Sequence, residues 1–232
     1  TTGAPWIPDA AQQFPERYDH PDYVVPEVMF VWGNYPVKSN IEGFYGHWVI
    51  DLMKRGMKLV TVDPKVTWLA SKSELHLRVR PGTDAALALG MMKVIIEDDL
   101  YDHEFVDNWC YGFDELAERA KEFDVKRVSE ITWVPEEKII AAARMLGNAK
   151  NSTLQWGVAV DMTREAMPAG QAILALWEIT GNMERPGGMI VAPEILSVAG
   201  GWGREILGPE QEAKRIGIKD YPLYNFGFAV SQ

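Results

Sequence analysis

The chain has 232 residues, of which 47% are hydrophobic, and this is enough to bury the core of one large or two small globular domains. A formal net charge of −10 argues against a nucleic-acid partner, because phosphate backbones require clustered Lys and Arg. The single cysteine, Cys110, excludes an intrachain disulfide and is expected to be a buried structural thiol. No apolar run reaches the roughly 18 residues that span a bilayer, so no membrane insertion is expected.

The N-terminal part of the sequence changes character at residue 28. Residues 1–27 are rich in Pro and polar residues and predict an irregular arm; the chain starts with Thr, which suggests a piece of a longer polypeptide. The apolar run 28–32 then predicts a buried strand, 41–55 an amphipathic helix and 57–64 a second strand. These three segments predict a βαβ unit with a right-handed crossover.

The following residues continue the alternation of strands and helices. Residues 75–80 predict a third strand, and Thr83 is the expected N-cap of the next helix. The other predicted segments, in chain order, are helices at 85–98, 101–110, 113–123 and 131–148, a strand at 152–160 and a buried helix at 168–182. Residues 28–192 therefore predict an α/β fold with an open, mainly parallel Rossmann-like sheet and helices on both faces. Residues 193–232, richer in Gly, Pro and charge, predict an irregular C-terminal tail.

The loop after the first strand is the first candidate for ligand binding, because open parallel sheets bind ligands at the carboxyl ends of their strands. Gly33 would let the backbone approach a ligand closely. Asn34 and Ser39 offer hydrogen bonds near the next helix, whose free N–H groups favour an anion such as a diphosphate. The loop does not match GxGxxG, and taken alone it is better interpreted as a simple turn.

Acidic residues follow the next two predicted strands. Asp63 lies at the tip of the second strand, where Rossmann-like folds place a carboxylate that accepts ribose hydroxyls. Alternatively, Asp63 caps the turn before Pro64, and Lys65 is solvated. In the third loop Gly82 has no side chain that would obstruct a ligand. The Asp84 carboxylate, at the beginning of the next helix, could accept the paired N–H donors of a guanine edge. The alternative for Asp84 is a favourable charge at a helix N-terminus.

The aromatic and imidazole side chains give weaker indications. Trp156, just before Gly157 at a predicted strand tip, is the tryptophan expected to contact a ligand, whereas Trp32, Trp68 and Trp177 are expected to pack in the core. A structural role is expected for all four histidines, which show no metal-ligand spacing: His20, His47, His76 and His103.

Four separated motifs occur in the order and spacing of a known family. They are WGNYPVKSN, the stretch from VDPKVTWLA to DDLYDHEFV, LQWGVAV and LALWEITGNMERPGGM. Over most of residues 28–192 they resemble the dimethyl sulfoxide reductase family of molybdenum and tungsten enzymes. In that family the corresponding segment is an α/β domain of a large catalytic subunit, and it binds one of two molybdopterin guanine dinucleotides.

The resemblance implies cofactor contacts in each loop, with Asp63 at a ribose and Asp84 at the guanine. The residues expected to line the diphosphate and ribose are Gly33, Asn34, Pro36 and Ser39, and the other expected contacts are Pro64, Lys65, Gly82, Trp156 and Gly157. Two positions depart from the family pattern. Asn34 directly follows Gly33, whereas the family loop reads Gly-x-Asn-Pro. Lys65 replaces a common Arg, which keeps the charge but loses the planar fork.

The resemblance also implies that the family's iron–sulfur cysteines and metal ligand precede this segment and are absent from it. The fragment alone is therefore expected to be inactive and free of cofactor, with molybdenum or tungsten held only in the full-length parent. The expected partners are the remaining domains of the same catalytic subunit, with an iron–sulfur electron-transfer subunit as a further candidate. The cell compartment is left open between cytoplasm and periplasm.

Alternative functions remain at this level. The leading hypothesis is a domain of a two-electron oxidoreductase, and a narrower one is a non-redox, acetylene hydratase-like member of the same family, which RVRPGTD and LQWGVAVD resemble. A stand-alone nucleotide-binding or interaction module is a hypothesis of a different class. An NAD-dependent enzyme is disfavoured by the missing GxGxxG and by the second acidic loop.

Overall fold

The computed structural model describes residues 6–8, 23–39, 45–191 and 208–214, and the chain divides into two compact units, 1–191 and 192–232. The strands of the first unit are β1 Trp6–Pro8, β2 Val28–Trp32, β3 Lys58–Val62, β4 Leu75–Leu77, β5 Ser152–Trp156 and β6 Met189–Val191. Its helices are α1 Pro36–Ser39, α2 Tyr45–Lys54, α3 Trp68–Lys72, α4 Asp84–Glu97, α5 His103–Trp109, α6 Phe113–Ala120, α7 Val125–Thr132, α8 Glu136–Gly147, α9 Val158–Asp161 and α10 Ala166–Ile179. The second unit contains α11 Pro209–Ala213.

Four strands form a parallel sheet in the order β4-β3-β2-β5. In the central strand β2, Trp32 pairs with Val62 of β3 on one side and with Trp156 of β5 on the other. At the edge, Val62 pairs with Leu77 of β4. The predicted α/β class with a parallel Rossmann-like sheet is thus confirmed.

Helices cover both faces of this sheet, as predicted. Successive side chains of a strand point to opposite faces, and β2 is buried on both. Val28, Phe30 and Trp32 join one core cluster with α4, α7, α8 and α10, whereas Met29 and Val31 join a second cluster with α2 and α3. The apolar run of β2 is therefore explained by burial on two sides.

The predicted helix 131–148 is wrong at its start. The structure ends α7 at Thr132, gives Trp133 a left-handed backbone with φ 62°, and begins α8 after Pro135. Proline lacks a backbone N–H and disfavours helical geometry in the residue before it, so a helix cannot run through this point. The segment instead forms two helices, the first of which was not predicted as a separate element.

The predicted strand 152–160 is too long. β5 ends at Trp156, and residues 158–161 form the short helix α9. The Gly157 N–H still bonds to the carbonyl oxygen of Trp32 at 3.1 Å, which closes the pairing with β2. The β-branched residues after Gly157 suggested a continuing strand, but they have no neighbouring strand to pair with in the sheet.

Other differences are short elements that local patterns did not reveal. β1, within the predicted irregular arm 1–27, pairs antiparallel with β6, a contact between distant parts of the chain. α3 was not predicted, and α11 lies within the predicted irregular tail 193–232. The predicted helix 41–55 is present from Tyr45 onward, and its first residues lie outside those described.

Candidate functional site

The sheet brings the three predicted loops together at one edge. Trp32, Val62, Leu77 and Trp156 are register partners across the four strands at or near their carboxyl ends. The loops that follow β2, β3 and β4, together with Gly157 after β5, therefore emerge side by side. This is the edge at which open α/β sheets bind ligands.

Gly33 and Gly157 allow close contact between neighbouring loops. Gly33 has φ 60°, a left-handed conformation that favours glycine, and its N–H donates to the Val62 carbonyl oxygen at 2.8 Å. A Cβ at Gly157 would lie 2.8 Å from the Cβ of Asn34. The Asn34 side chain in turn donates to the Trp156 carbonyl oxygen at 3.4 Å. The first and fourth loops thus hold each other in place.

In the loop after β2, Asn34 and Ser39 form hydrogen bonds mainly with other residues of the same loop. The Ser39 hydroxyl lies 3.0 Å from the Tyr35 carbonyl oxygen and 3.3 Å from Oδ1 of Asn34. The N–H groups of Lys38 and Ser39 also donate to Tyr35, and Pro36 is buried. Asn34 and Ser39 therefore shape the loop, while Ser39 stays exposed at its rim.

Asp63 forms the turn that the sequence allowed as an alternative. Its Oδ1 accepts the Lys65 N–H at 2.7 Å, and its carbonyl oxygen lies 2.8 Å from Nε2 of His76. Pro64 and Lys65 are exposed, and Asp63 is partly exposed. Since a carboxylate has two oxygens, this turn leaves Oδ2 available to a ligand.

Asp84 is the most deeply placed acidic group of the site. It retains only 8% exposure, and its Oδ1 accepts the indole N–H of the fully buried Trp32 at 2.7 Å. Burial raises the pKa of the Asp84 carboxyl, and the Trp32 hydrogen bond opposes that shift. The sequence predicted core packing for Trp32 and did not reveal this contact with Asp84. The available signal was a tryptophan at the strand end directly before Gly33.

The loop before Asp84 is open at Gly82 and ends at Thr83, the N-cap of α4. Gly82 has φ 81°, and a Cβ there would meet nothing within 4 Å. Thr83 occupies the N-cap position of α4, but its hydroxyl donates to the Arg80 carbonyl oxygen at 2.7 Å rather than capping the helix. The prediction that Thr83 is the N-cap of α4 is therefore confirmed, although its side chain makes no cap hydrogen bond.

Cationic side chains accompany the loops of this otherwise acidic chain. The Arg78 Nε donates to the Pro64 carbonyl oxygen at 3.1 Å, and the Arg80 guanidinium lies 5.0 Å from the centre of the Trp133 ring. The exposed cations on the loops after β2, β3 and β4 are Lys38, Lys65, Arg78 and Arg80. Of these four cations only Lys65 was predicted from the sequence to contact a ligand, although the Arg-x-Arg spacing before PGTD was a usable signal.

The histidines do not converge on the site. His76 lies beside the Asp63 backbone, His47 is exposed on α2, and His103 forms an exposed pair with Asp99 at 2.8 Å. His20 lies outside the described residues. Within the described part of the chain, His, Cys, Asp and Glu form no group of three or more that could hold a metal ion. None of the helices described there has the length and apolarity of a membrane span.

The chain matches the molybdopterin oxidoreductase family over residues 27–213. It belongs to this family. The resemblance to the dimethyl sulfoxide reductase family that the four motifs carried is thereby confirmed, and known members include a hydratase as well as oxidoreductases.

Individual relatives differ in reaction. Acetylene hydratase of Syntrophotalea acetylenica is 36% identical over 176 residues, covering 75% of this chain and 24% of that protein. Formate dehydrogenase H of Escherichia coli is 30% identical over 160 residues, covering 69% of this chain and 22% of that protein. The solved acetylene hydratase from Pelobacter acetylenicus matches with a TM-score of 0.73 and 30% identity, covering 95% of this chain and 29% of that one. The chain thus spans about a quarter of the length of these relatives.

Proposed function

We propose that this chain is the α/β domain that binds one molybdopterin guanine dinucleotide arm in the catalytic subunit of a molybdenum or tungsten enzyme. The observation that carries the proposal is the convergence of the loops after β2, β3 and β4 at the carboxyl edge of the sheet, with the Asp84 carboxylate at its base. Family membership supports the cofactor class.

The residues at this edge fit a dinucleotide in three respects. A Cβ at Gly82 would meet nothing within 4 Å, so a diphosphate could approach the backbone there without meeting a side chain. Exposed Lys65 and Arg78 supply positive charge for phosphate oxygens. Asp63 keeps one carboxylate oxygen for a ribose hydroxyl. The small exposed fraction of Asp84 limits how a guanine can reach its carboxylate.

Guanine recognition by Asp84 follows from its acceptor capacity. A guanine presents two adjacent N–H donors, and an ionised carboxylate offers about four lone-pair positions, of which Trp32 uses one. Burial destabilises the charged form of the Asp84 carboxyl group when no ligand is bound. A base that supplies N–H donors would stabilise this charged form. Adenine presents an acceptor at the corresponding ring nitrogen and would not do this.

The role of this chain in the parent enzyme is to hold and orient the cofactor. When bound, the cofactor supplies a molybdenum or tungsten centre. The residues described here bind the nucleotide part and do not contribute the reacting groups. We place the iron–sulfur cluster, the metal ligand and the second dinucleotide grip in the remaining domains of the same subunit. An iron–sulfur electron-transfer subunit is a further proposed partner. One relative, from Methanococcus maripaludis, is named as the alpha subunit of a formate dehydrogenase.

A non-redox hydratase is the second candidate for the parent enzyme. Its support is the 36% identity to an acetylene hydratase and the match to a solved acetylene hydratase. Both candidates assign the same nucleotide-binding role to this chain, because the proposed site lies in the domain rather than at the metal. They differ in whether the parent exchanges electrons with a partner, which assays of the parent enzyme would decide.

Isothermal titration of the chain with GDP, ADP and NAD tests the proposal. We expect GDP to bind in preference to ADP and NAD. Asp84→Asn keeps the side-chain volume and an oxygen for Trp32, but it replaces a guanine acceptor by an N–H₂ donor. Loss of charge-assisted hydrogen bonds should weaken GDP binding by about ten- to hundredfold.

The matched control is Asp107→Asn, the same chemical change at an exposed position of α5. This variant should bind GDP like the parent chain. A preference for ADP or NAD, or equal GDP binding by Asp84→Asn, would contradict the guanine assignment. Absence of GDP binding at millimolar concentration would contradict a site preformed in this chain.

A further inference from the structure

A second concave site lies among α5, α6 and the end of α10. It is a cavity of about 680 Å³, within the range of about 300–1,000 Å³ that is typical of ligand pockets. Its walls come mainly from the α5–α6 connection, including Trp109, Cys110 and Tyr111, and its other side from Glu178 and Ile179 of α10.

This cavity is remote from the carboxyl edge of the sheet. Asn182, which follows α10, accepts the N–H of Ser152 at 2.8 Å, and Ser152 is the first residue of β5. The Ile179 carbonyl oxygen accepts the N–H of Asp102, immediately before α5. The end of α10 therefore lies beside the amino ends of the strands. A ligand of this cavity is distinct from the proposed dinucleotide.

Glu178 gives the cavity a partly buried negative group. Its side chain is partly buried, and no side chain among the described residues donates a hydrogen bond or forms an ion pair with its carboxylate. Burial raises the pKa of the Glu178 carboxyl, and burial together with the Glu178 charge raises the pKa of the Cys110 thiol. A carboxylate in such surroundings is stabilised by a cation that brings its own N–H donors.

The walls of the cavity are aromatic and unusually exposed. Trp109 is 78% exposed and Tyr111 is fully exposed, while Phe105 and Phe113 line the interior. Exposed tryptophan and tyrosine side chains around a pocket are typical of protein interfaces, where they become buried. Aromatic faces also attract cations, and a planar guanidinium can stack on them.

We propose that this cavity is a docking site for an arginine side chain presented by a polypeptide segment that is not part of residues 1–232. The guanidinium pairs with the Glu178 carboxylate, its aliphatic stem packs between the aromatic walls, and apolar residues flanking the arginine cover Trp109 and Tyr111. Charge complementarity and the exposed aromatic rim select this occupant. The relatives are about four times as long as their match to this chain, so most of their length lies outside the matched region.

Cys110 provides a specific reporter, because it is the only cysteine of the sequence. The rate at which Cys110 reacts with a disulfide reagent is measured with and without the peptide N-acetyl-Leu-Arg-Leu-amide. We expect a saturating concentration of this peptide to protect Cys110. The same peptide with citrulline in place of arginine is nearly isosteric but neutral. Half-maximal protection of Cys110 should require an at least about tenfold higher concentration of this neutral peptide.

Glu178→Gln should remove the advantage of arginine over citrulline, and Glu115→Gln, on exposed α6 outside the cavity, should preserve it. Protection is expressed as the ratio of rates with and without peptide, so the change in thiol reactivity that the substitution itself causes cancels. Equal protection by citrulline, an unchanged ratio in Glu178→Gln, or no protection at millimolar peptide would overturn the proposal.

Two further measurements test whether a peptide rather than a single arginine is recognised, and whether this cavity is separate from the dinucleotide site. N-acetylarginine amide should protect several-fold less effectively than the tripeptide, and equal protection would refute docking of a protein segment. GDP should leave the Cys110 rate unchanged. The arginine site and the dinucleotide site therefore succeed or fail in separate experiments.

Discussion

Replacing Gly157 with alanine tests the contact between the first and fourth loops of the candidate site. The backbone of Gly157 has φ −140° and ψ −178°, which any residue adopts without strain. Only neighbouring atoms exclude a side chain. An added Cβ would lie 2.8 Å from Cβ of Asn34 and 2.9 Å from the carbonyl oxygen of Gly33. Real Cβ atoms essentially never approach others this closely, so a loop must move.

The size of the effect follows from two opposing contributions. Inserting a methyl group into a packed contact costs about 1–3 kcal/mol of folding free energy. Alanine also restricts the unfolded chain relative to glycine, which returns about 0.4–1 kcal/mol. We expect Gly157→Ala to lower the free energy of unfolding by about 1–2 kcal/mol, equivalent to a fall in Tm of about 2–8 °C for a chain of this size.

Urea unfolding followed by tryptophan fluorescence measures this change, and a double-mutant cycle assigns it. Asn34→Gly removes the Cβ and Cγ atoms that the new alanine methyl group would meet but leaves the Gly33 carbonyl. The double variant should therefore recover part of the loss, with a coupling energy of about 0.5–3 kcal/mol. If Gly157→Ala unfolds at the same urea concentration as the parent chain, or if the two changes are additive, the loops are not in contact.

Three other predictions follow from buried groups. Because burial raises the folded-state pKa of Asp84 above 3.8, its contribution to stability is full below that pH and is lost as pH rises through the folded-state pKa. Urea titrations should therefore show Asp84→Asn gaining stability over the parent chain between about pH 4 and neutrality, and a constant difference would contradict this. Gly90→Ala should destabilise the chain despite a helix propensity gain of about 1 kcal/mol, because the new Cβ would lie 2.8 Å from a Val128 methyl group; in thermal melts it should cost less in a Val128→Ala background than in the parent chain, and an equal cost would contradict the contact. Glu178→Gln should lower the pKa of the Cys110 thiol, so a pH–rate profile of Cys110 labelling should shift to lower pH, and an unshifted profile would refute their coupling.

The parallel sheet could be predicted because its signal is local. Each buried strand is an apolar run followed by a turn, and the helices between strands show their own periodicity. Burial on both faces of β2 accounts for its uninterrupted apolar sequence. Pairing between distant segments has no such signal, which is why β1 was missed. Pro135 could have predicted the break between α7 and α8, because proline disfavours helical geometry in the residue before it.

The positions of the candidate site residues could be predicted better than their contacts. Strand ends locate Gly33, Asp63 and Asp84 at one edge, because the order of a parallel sheet fixes where its loops emerge. The sequence could not show that Trp32 occupies an Asp84 oxygen, because the two residues are 52 positions apart and meet only after the sheet and α4 pack. Nor could it reveal the cavity beside Glu178, which requires helices from separate parts of the chain.

The contacts among these loops separate two kinds of change at the candidate site. Gly33 bonds to Val62, and Asn34 bonds to Trp156, so the edge is held by the protein itself before any ligand contact. A substitution that breaks this support, such as Gly157→Ala, should lower stability and GDP affinity together. Asp84→Asn preserves the support, so it should weaken GDP binding while stability at neutral pH is kept or raised. Parallel loss of both properties in Asp84→Asn would mean that Asp84 supports the fold rather than the nucleotide.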